Sequence, residues 1–185
     1  LNGELSVAAG ATGVNVTSAT IEGAAILAGD NVTTTGNEFT GDVTYSGANT
    51  NDNNIQNNDY LANVIVSGTG HDFEGNENVV TGNVTIQAGG SNTIINQANL
   101  NGELSVAAGA TGVNVTSATI EGAAILAGDN VTTTGNEFTG DVTYSGANSN
   151  DNNIQNNDYL ANVIVSGSGH DFEEDENVVT GNVTI

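Results

Sequence analysis

The chain has no lysine and no arginine among its 185 residues, against 22 aspartates and glutamates and two histidines. At a formal charge of −22, it has nothing with which to grip phosphate. Nucleic acid and anionic membrane surfaces are therefore excluded as partners. Cysteine is absent as well, which removes disulfides and thiolate metal sites. No apolar run reaches membrane-spanning length and no signal peptide is visible, so no membrane insertion is expected in this segment. The sequence starts and stops inside a repeat and reads as a fragment whose targeting segment would lie elsewhere. Without lysine or arginine there is also no trypsin-type cleavage site, which suits an extracellular or cell-surface location.

Aromatic residues are scarce at 4%, and acidic chains of that kind are often disordered. Here 37% of residues are hydrophobic, and they recur at fixed positions, which favours order. Leu1-Asn2-Gly3-Glu4-Leu5-Ser6-Val7 returns as Leu100-Asn101-Gly102-Glu103-Leu104-Ser105-Val106, a shift of 99 residues. Over the 86 residues that overlap (185 less 99), four differ: Thr50/Ser149, Thr69/Ser168, Gly75/Glu174 and Asn76/Asp175. Copies this alike are what a long tandem array supplies. The organisation is a first repeat, 1–99, and a truncated second copy, 100–185, continuous with it.

Each unit holds a weaker repeat of about 20 residues: apolar, any, small, any, apolar, any, apolar. Its anchors are Leu1, Ile21, Phe39, Tyr60, Val80 and Leu100, at spacings of 20, 18, 21, 20 and 20. Strict alternation of Val, Ile, Leu, Tyr and Thr signals a strand. Gly- or Asn-rich turns follow, and a shorter apolar stretch (Val14 with Val16, Val32, Ile55, Phe73, Ile94 with Ile95) precedes the next anchor. One coil reads as strand, turn, shorter strand, turn. Such a coil cannot bury its own apolar face, but stacked coils share a continuous core. The expected fold is all-β, a parallel β-solenoid with five coils per 99-residue repeat. The anchors would form one interior ladder; Leu5, Ala25, Val43, Val64 and Val84 would form a second. The small residue two places after each anchor points inward by alternation, or else the strand bends there. The rival is a pair of tandem β-sandwich, immunoglobulin-like adhesin domains. The 20-residue subrepeat, the lack of a linker and the absence of proline and tryptophan argue against it.

Gly3-Glu4-Leu5-Ser6-Val7-Ala8-Ala9-Gly10 and its counterparts resemble the repeats of filamentous-haemagglutinin-type exoproteins. That resemblance lies in pattern and spans the whole chain. It implies a secreted, right-handed parallel β-helix serving as a rigid rod, adhesin stalk or scaffold.

No catalytic constellation emerges. His71-Asp72 and His170-Asp171 are the only His-acid pairs, and no nucleophile stands at a recognisable motif. The outward row Glu4, Ala24, Asp42, Asn63, Asn83 offers no close pair of acids for glycoside hydrolysis. No cofactor is required by anything in the chain. Calcium is the one candidate metal, through Asp30, Asp52, Asp59, Asp72, Glu74 and Glu77, although neither the EF-hand loop nor the calcium-binding nonapeptide is present. Asn37, Asn58 and Asn78 each stand two places before an anchor, as an amide ladder along the axis would require. Asn15, Asn31 and Asn83 match the glycosylation acceptor pattern. Thr40, Thr44, Thr81 and Thr85 share outward rows, but Glu22, Ile26, Leu61 and Ile65 interrupt any flat ice-binding array. The expected function is structural: a non-enzymatic segment of an extracellular filament, sheath or adhesin stalk. It would act by stiffness, length and self-association, end to end or lateral, with a cell-surface or matrix partner as a further candidate. A calcium-dependent adhesin or surface-layer binding module is the alternative.

Overall fold

The computed structural model describes residues 1–74, 78–150, 153–172 and 177–185. Within them are strands and turns and no helix. The strands form three sheets of ten, eight and nine strands, called here sheets 1, 2 and 3. Each strand's neighbour in its sheet comes from the next turn of the chain, and the pairings are parallel, as between Leu5–Val7 and Ala25–Leu27. The chain is a parallel β-solenoid of about nine turns, and this parallel order rules out antiparallel tandem sandwiches.

A coil has three strands, not two. The seven-residue run that reads as one strand is bent: Thr20–Ile21 belongs to sheet 3 and Ala25–Leu27 to sheet 1. The small residue at the bend does not point into the core but sits half-exposed on the corner. Its size is set by the neighbouring coil. A Cβ on Gly23 would lie 2.6 Å from the Gly3 carbonyl carbon, and one on Gly41 would lie 2.7 Å from that of Gly23.

In four of the five coils of the first unit the corner between sheets 2 and 3 is two residues long, and its first residue adopts positive φ: Ser18 at 51°, Gly36 at 65°, Asn57 at 53° and Gln97 at 55°; between Asp72–Phe73 and Val79–Val80 it is longer. The corner between sheets 1 and 2 absorbs the uneven coil spacing, with residues 8–14 in one coil and 28–32 in the next. A glycine column stands on this variable corner. A Cβ on Gly47 would meet the Gly29 carbonyl oxygen at 1.9 Å, and one on Gly68 would meet that of Gly47 at 1.8 Å.

The anchors Ile21, Phe39, Tyr60, Val80 and Leu100 are buried and pair in consecutive coils. Leu1, in the first coil, is 64% exposed, because only one of its faces is covered. Its carbonyl still accepts from the Glu22 N–H at 2.9 Å, in line with the ladder. Leu5, Ala25, Val43, Val64 and Val84 are likewise in register. A third column, Val7, Leu27, Tyr45, Val66 and Ile86, completes the sheet 1 side. On the sheet 2 side Val16, Thr34, Ile55, Phe73 and Ile95 align. The short apolar stretch of the second coil is thus offset: Val32 is buried beside the column, and Thr34 holds the column position.

Thr34 is there because two tyrosine hydroxyls are buried beside it. Thr34 Oγ1 lies 2.8 Å from Tyr45 Oη, which lies 2.7 Å from Tyr60 Oη. The Tyr60 ring stacks on Phe39 at 5.2 Å and 6°. Thr133, Tyr144 and Tyr159 repeat the network in the second unit.

Two predictions follow from this packing. Gly47→Ala places a methyl inside van der Waals distance of the coil below and should cost about 1–3 kcal/mol, the usual penalty of overpacking. Gly3→Ala, with nothing within 4 Å of its Cβ position, should leave the melting temperature unchanged; thermal denaturation of both variants checks this. Burial also pushes the Tyr45 and Tyr60 hydroxyls above the usual phenol value of 10.0. The native state then holds protons that the unfolded chain releases, so stability is complete below pH 10 and falls as pH rises beyond it. Since all four tyrosines are buried, tyrosinate absorbance should stay flat through pH 10–11 and rise only together with unfolding.

Candidate functional site: the polar columns of the solenoid

Among the described residues, the acids singled out for calcium do not gather as a metal-holding group, although Asp52 and Glu74 lie near enough to Asp72 for their charges to act on it. Asp30 is exposed, and its Oδ1 accepts from the Ala48 N–H of the next coil at 2.9 Å. Asp52 is exposed on the turn before Ile55, and Asp59 is exposed on sheet 3. Glu74 is half-buried and accepts from Asn96 Nδ2 at 3.5 Å. Glu77 lies outside the described residues. Among the described residues, no three His, Asp or Glu gather as a metal-holding group. Asp72 is the unusual one: buried, with Oδ2 accepting from the Asn53 N–H at 3.1 Å and Oδ1 without a partner. Burial is the main cause that raises its pKa, reinforced by the charges of Glu74 and Asp52 and opposed by the Asn53 bond.

His71 is 2% exposed and fully engaged. Nδ1 lies 3.2 Å from Asn54 Nδ2, which can only donate, so Nδ1 accepts. Nε2 then carries the proton and donates to the Gly47 carbonyl at 2.9 Å. Asn54 Oδ1 accepts from the Asp72 N–H at 2.7 Å, which fixes the amide's orientation. The ring packs against Tyr45 with centroids 5.4 Å apart. With both nitrogens held by an amide and a carbonyl, His71 orients a corner, and the His71-Asp72 pair has no dyad geometry. His170 repeats these contacts with Asn153 and Gly146.

Asn37, Asn58 and Asn78 are buried and stacked. Asn58 Oδ1 accepts from both the N–H and the Nδ2 of Asn37, at 3.0 and 2.9 Å. Asn78 Oδ1 accepts from the Asn58 N–H at 3.1 Å. The Nδ2 groups also donate across the corner to the carbonyls of Val16, Thr34 and Ile55. Leaving one such buried group unmatched costs about 1–3 kcal/mol, so these residues are structural. The column ends at Ala98, where the next coil offers no amide. A second column lies outside, on the corner before sheet 1. Asp42 Oδ1 accepts from the Asn63 N–H at 3.0 Å, Asn63 Oδ1 from that of Asn83 at 2.9 Å, and Asn83 Oδ1 from that of Glu103 at 2.9 Å. The sequence does carry the signal for this second column, as Asp or Asn recurring three places after the anchor.

The three glycosylation candidates stand on the surface with their side-chain oxygens tied to the next coil. Asn15 accepts from the Thr33 hydroxyl, Asn31 from the Thr50 N–H at 2.9 Å, and Asn83 as described. A close acidic pair does exist, on a row other than that of Glu4 and Asp42: Glu38 and Asp59, one place before their anchors, are paired residues of adjacent strands. Glu137 and Asp158 repeat it. They flank an open polar groove with Ser18, Asn37 and Asn57, and like charges so placed repel.

The His71 corner has a pH signature. Burial lowers its pKa from 6.5, against the opposing Gly47 bond. The unfolded chain therefore binds a proton that the native state refuses. Stability from this site is complete above the unfolded value and is lost as pH falls below it. The difference in melting temperature between wild type and His71→Asn should shrink between pH 7.5 and 5; a constant difference would remove this role for His71. No protein-family model, curated protein or solved structure matches this chain.

Proposed function

We propose that this chain is a structural repeat segment of an extracellular filament, sheath or adhesin stalk. On this reading it works as a rod, without catalysis or a required cofactor. One observation carries the reading: the coil stack crosses the 99-residue boundary without a break. Asn99–Leu100 pairs with Val79–Val80, and Leu104–Val106 with Val84–Ile86, in the register used everywhere else. Adding a unit therefore lengthens one body instead of adding a bead. Among the described residues the core offers side chains locked in columns and no group of metal-holding side chains, so stiffness is the property the arrangement supplies best. Absence of lysine and arginine favours service outside the cell, and the acidic surface keeps such rods soluble. The natural partner is a further copy of the same chain.

At about 4.8 Å per coil, each five-coil unit should add about 24 Å of length at constant cross-section. Solution scattering and electron microscopy of chains with increasing numbers of 99-residue units check this. Flexible beads at intervals near 40 Å would overturn the rod. A chelator should leave the melting temperature unchanged; a large drop would favour the calcium-dependent adhesin instead.

A further inference from the structure

The outward face of sheet 1 differs from the rest of the surface. Each of its ten strands contributes one outward central residue. Four are isoleucines, Ile26, Ile65, Ile125 and Ile164, and the other six are serine or threonine. Ile26, Ile125 and Ile164 are 41%, 40% and 39% exposed. No carboxylate falls on this row, in a chain that carries 22 of them. Sheet 3, by contrast, presents Glu38, Asp59, Glu137 and Asp158 outward.

We propose that this face docks a second copy of the same chain, side by side and running in the same direction. The inference rests on the rod reading above and extends it to lateral assembly. Charge excludes sheet 3, and exposed isoleucine sets sheet 1 apart from sheet 2, whose outward positions are mostly Asn, Thr and Gln: two chains without lysine or arginine can approach closely only where acids do not oppose one another. Charge also selects the polarity. One edge of the face carries Glu4, Asp42, Glu103 and Asp141, while the other carries Ala8, Ala28, Ser46 and Ser67. A two-fold axis along the rod lays the acidic edge of each chain against the neutral edge of its mate. An axis across the rod would lay acid on acid. The parallel arrangement also sets each isoleucine against its own copy, layer by layer.

Area supports the same occupant. Ten strands at about 4.8 Å give a face about 43 Å long. With a width of about 15 Å, set by four to five residues of strand, it buries on the order of 650 Å² per chain, just below the roughly 800 Å² of a standard interface. Each further 99-residue unit adds about half as much again. The segment alone should thus pair weakly and reversibly, and a long array firmly.

Sedimentation equilibrium of the 185-residue chain should show its mass rising with concentration from 18.5 kDa toward twice that value. Added salt should strengthen the association by screening repulsion. Ile26→Glu, Ile65→Glu, Ile125→Glu and Ile164→Glu together should abolish it. Adding the same number of acids on sheet 3, at Thr20, Val79, Asn99 and Thr119, should reduce it less, with circular dichroism verifying the fold of each variant. Because the chain has no cysteine, Ser6→Cys reports polarity: oxidation should cross-link parallel pairs, and should cease to do so in the isoleucine variant. A chain that stays monomeric at every concentration, or an isoleucine variant that associates like wild type, overturns the proposal while leaving the single rod standing. Association without a Ser6→Cys cross-link overturns the parallel arrangement. Beads in place of rods would remove both readings together.

Discussion

Everything in this molecule depends on the backbone hydrogen bonds that run from each coil to the next, holding strands about 4.8 Å apart. That spacing is too small for most side chains to lie between two backbones, so the corners are written in glycine and asparagine. Gly29, Gly47 and Gly68 form a column because each would drive a Cβ into the carbonyl of the coil below. The corners between sheets 2 and 3 need positive φ, which Ser18, Asn57 and Gln97 adopt alongside Gly36. Where a corner turns inward, the freed N–H groups must find acceptors, and Asn37, Asn58 and Asn78 supply them from one coil to the next.

The same constraint explains what could be read from the sequence. Stacking forces each inward position to repeat in kind, so the anchors from Ile21 to Leu100 and the amides at Asn37, Asn58 and Asn78 announce themselves by spacing. The bend after each anchor is less visible, because alternation continues across it: Ile21, Gly23 and Ala25 keep a period of two although the chain changes sheets at residues 22–24. Thr34 was hidden for a different reason. Hydropathy favours Val32 as the inward residue, and only the hydroxyls of Tyr45 and Tyr60, distant in sequence, make a threonine the better fit. The Glu38–Asp59 pair is hidden because its row lies one residue before the anchors, across the bend from Glu4 and Asp42.

The candidate site fared differently from the fold. The calcium candidates stand out by turn composition, and composition says nothing about convergence. In three dimensions Asp30 is occupied by the Ala48 amide and Asp59 faces outward beside Glu38. Asp72 is buried against Asn53. The oxygen-rich turns mostly serve the backbone. In a solenoid, turn oxygens have a standing competitor for any metal, namely the unpaired N–H groups of the adjacent coil.

Near-identity between the two units also follows from the stacking. The Thr34–Tyr45–Tyr60 network spans three coils, so none of these three residues can change without the others. Two of the four differences show where freedom remains. Thr50 and Ser149 are exposed, and each hydroxyl reaches its own Asn partner, Asn31 or Asn130. Thr69 and Ser168 keep the backbone carbonyl that accepts from Asn49 or Asn148. Neither substitution touches a column, and both preserve the atom that meets the preceding coil, the hydroxyl at 50 or 149 and the carbonyl at 69 or 168. At these two described positions the variation spares every column, and the columns limit how far a copy can drift from its neighbours.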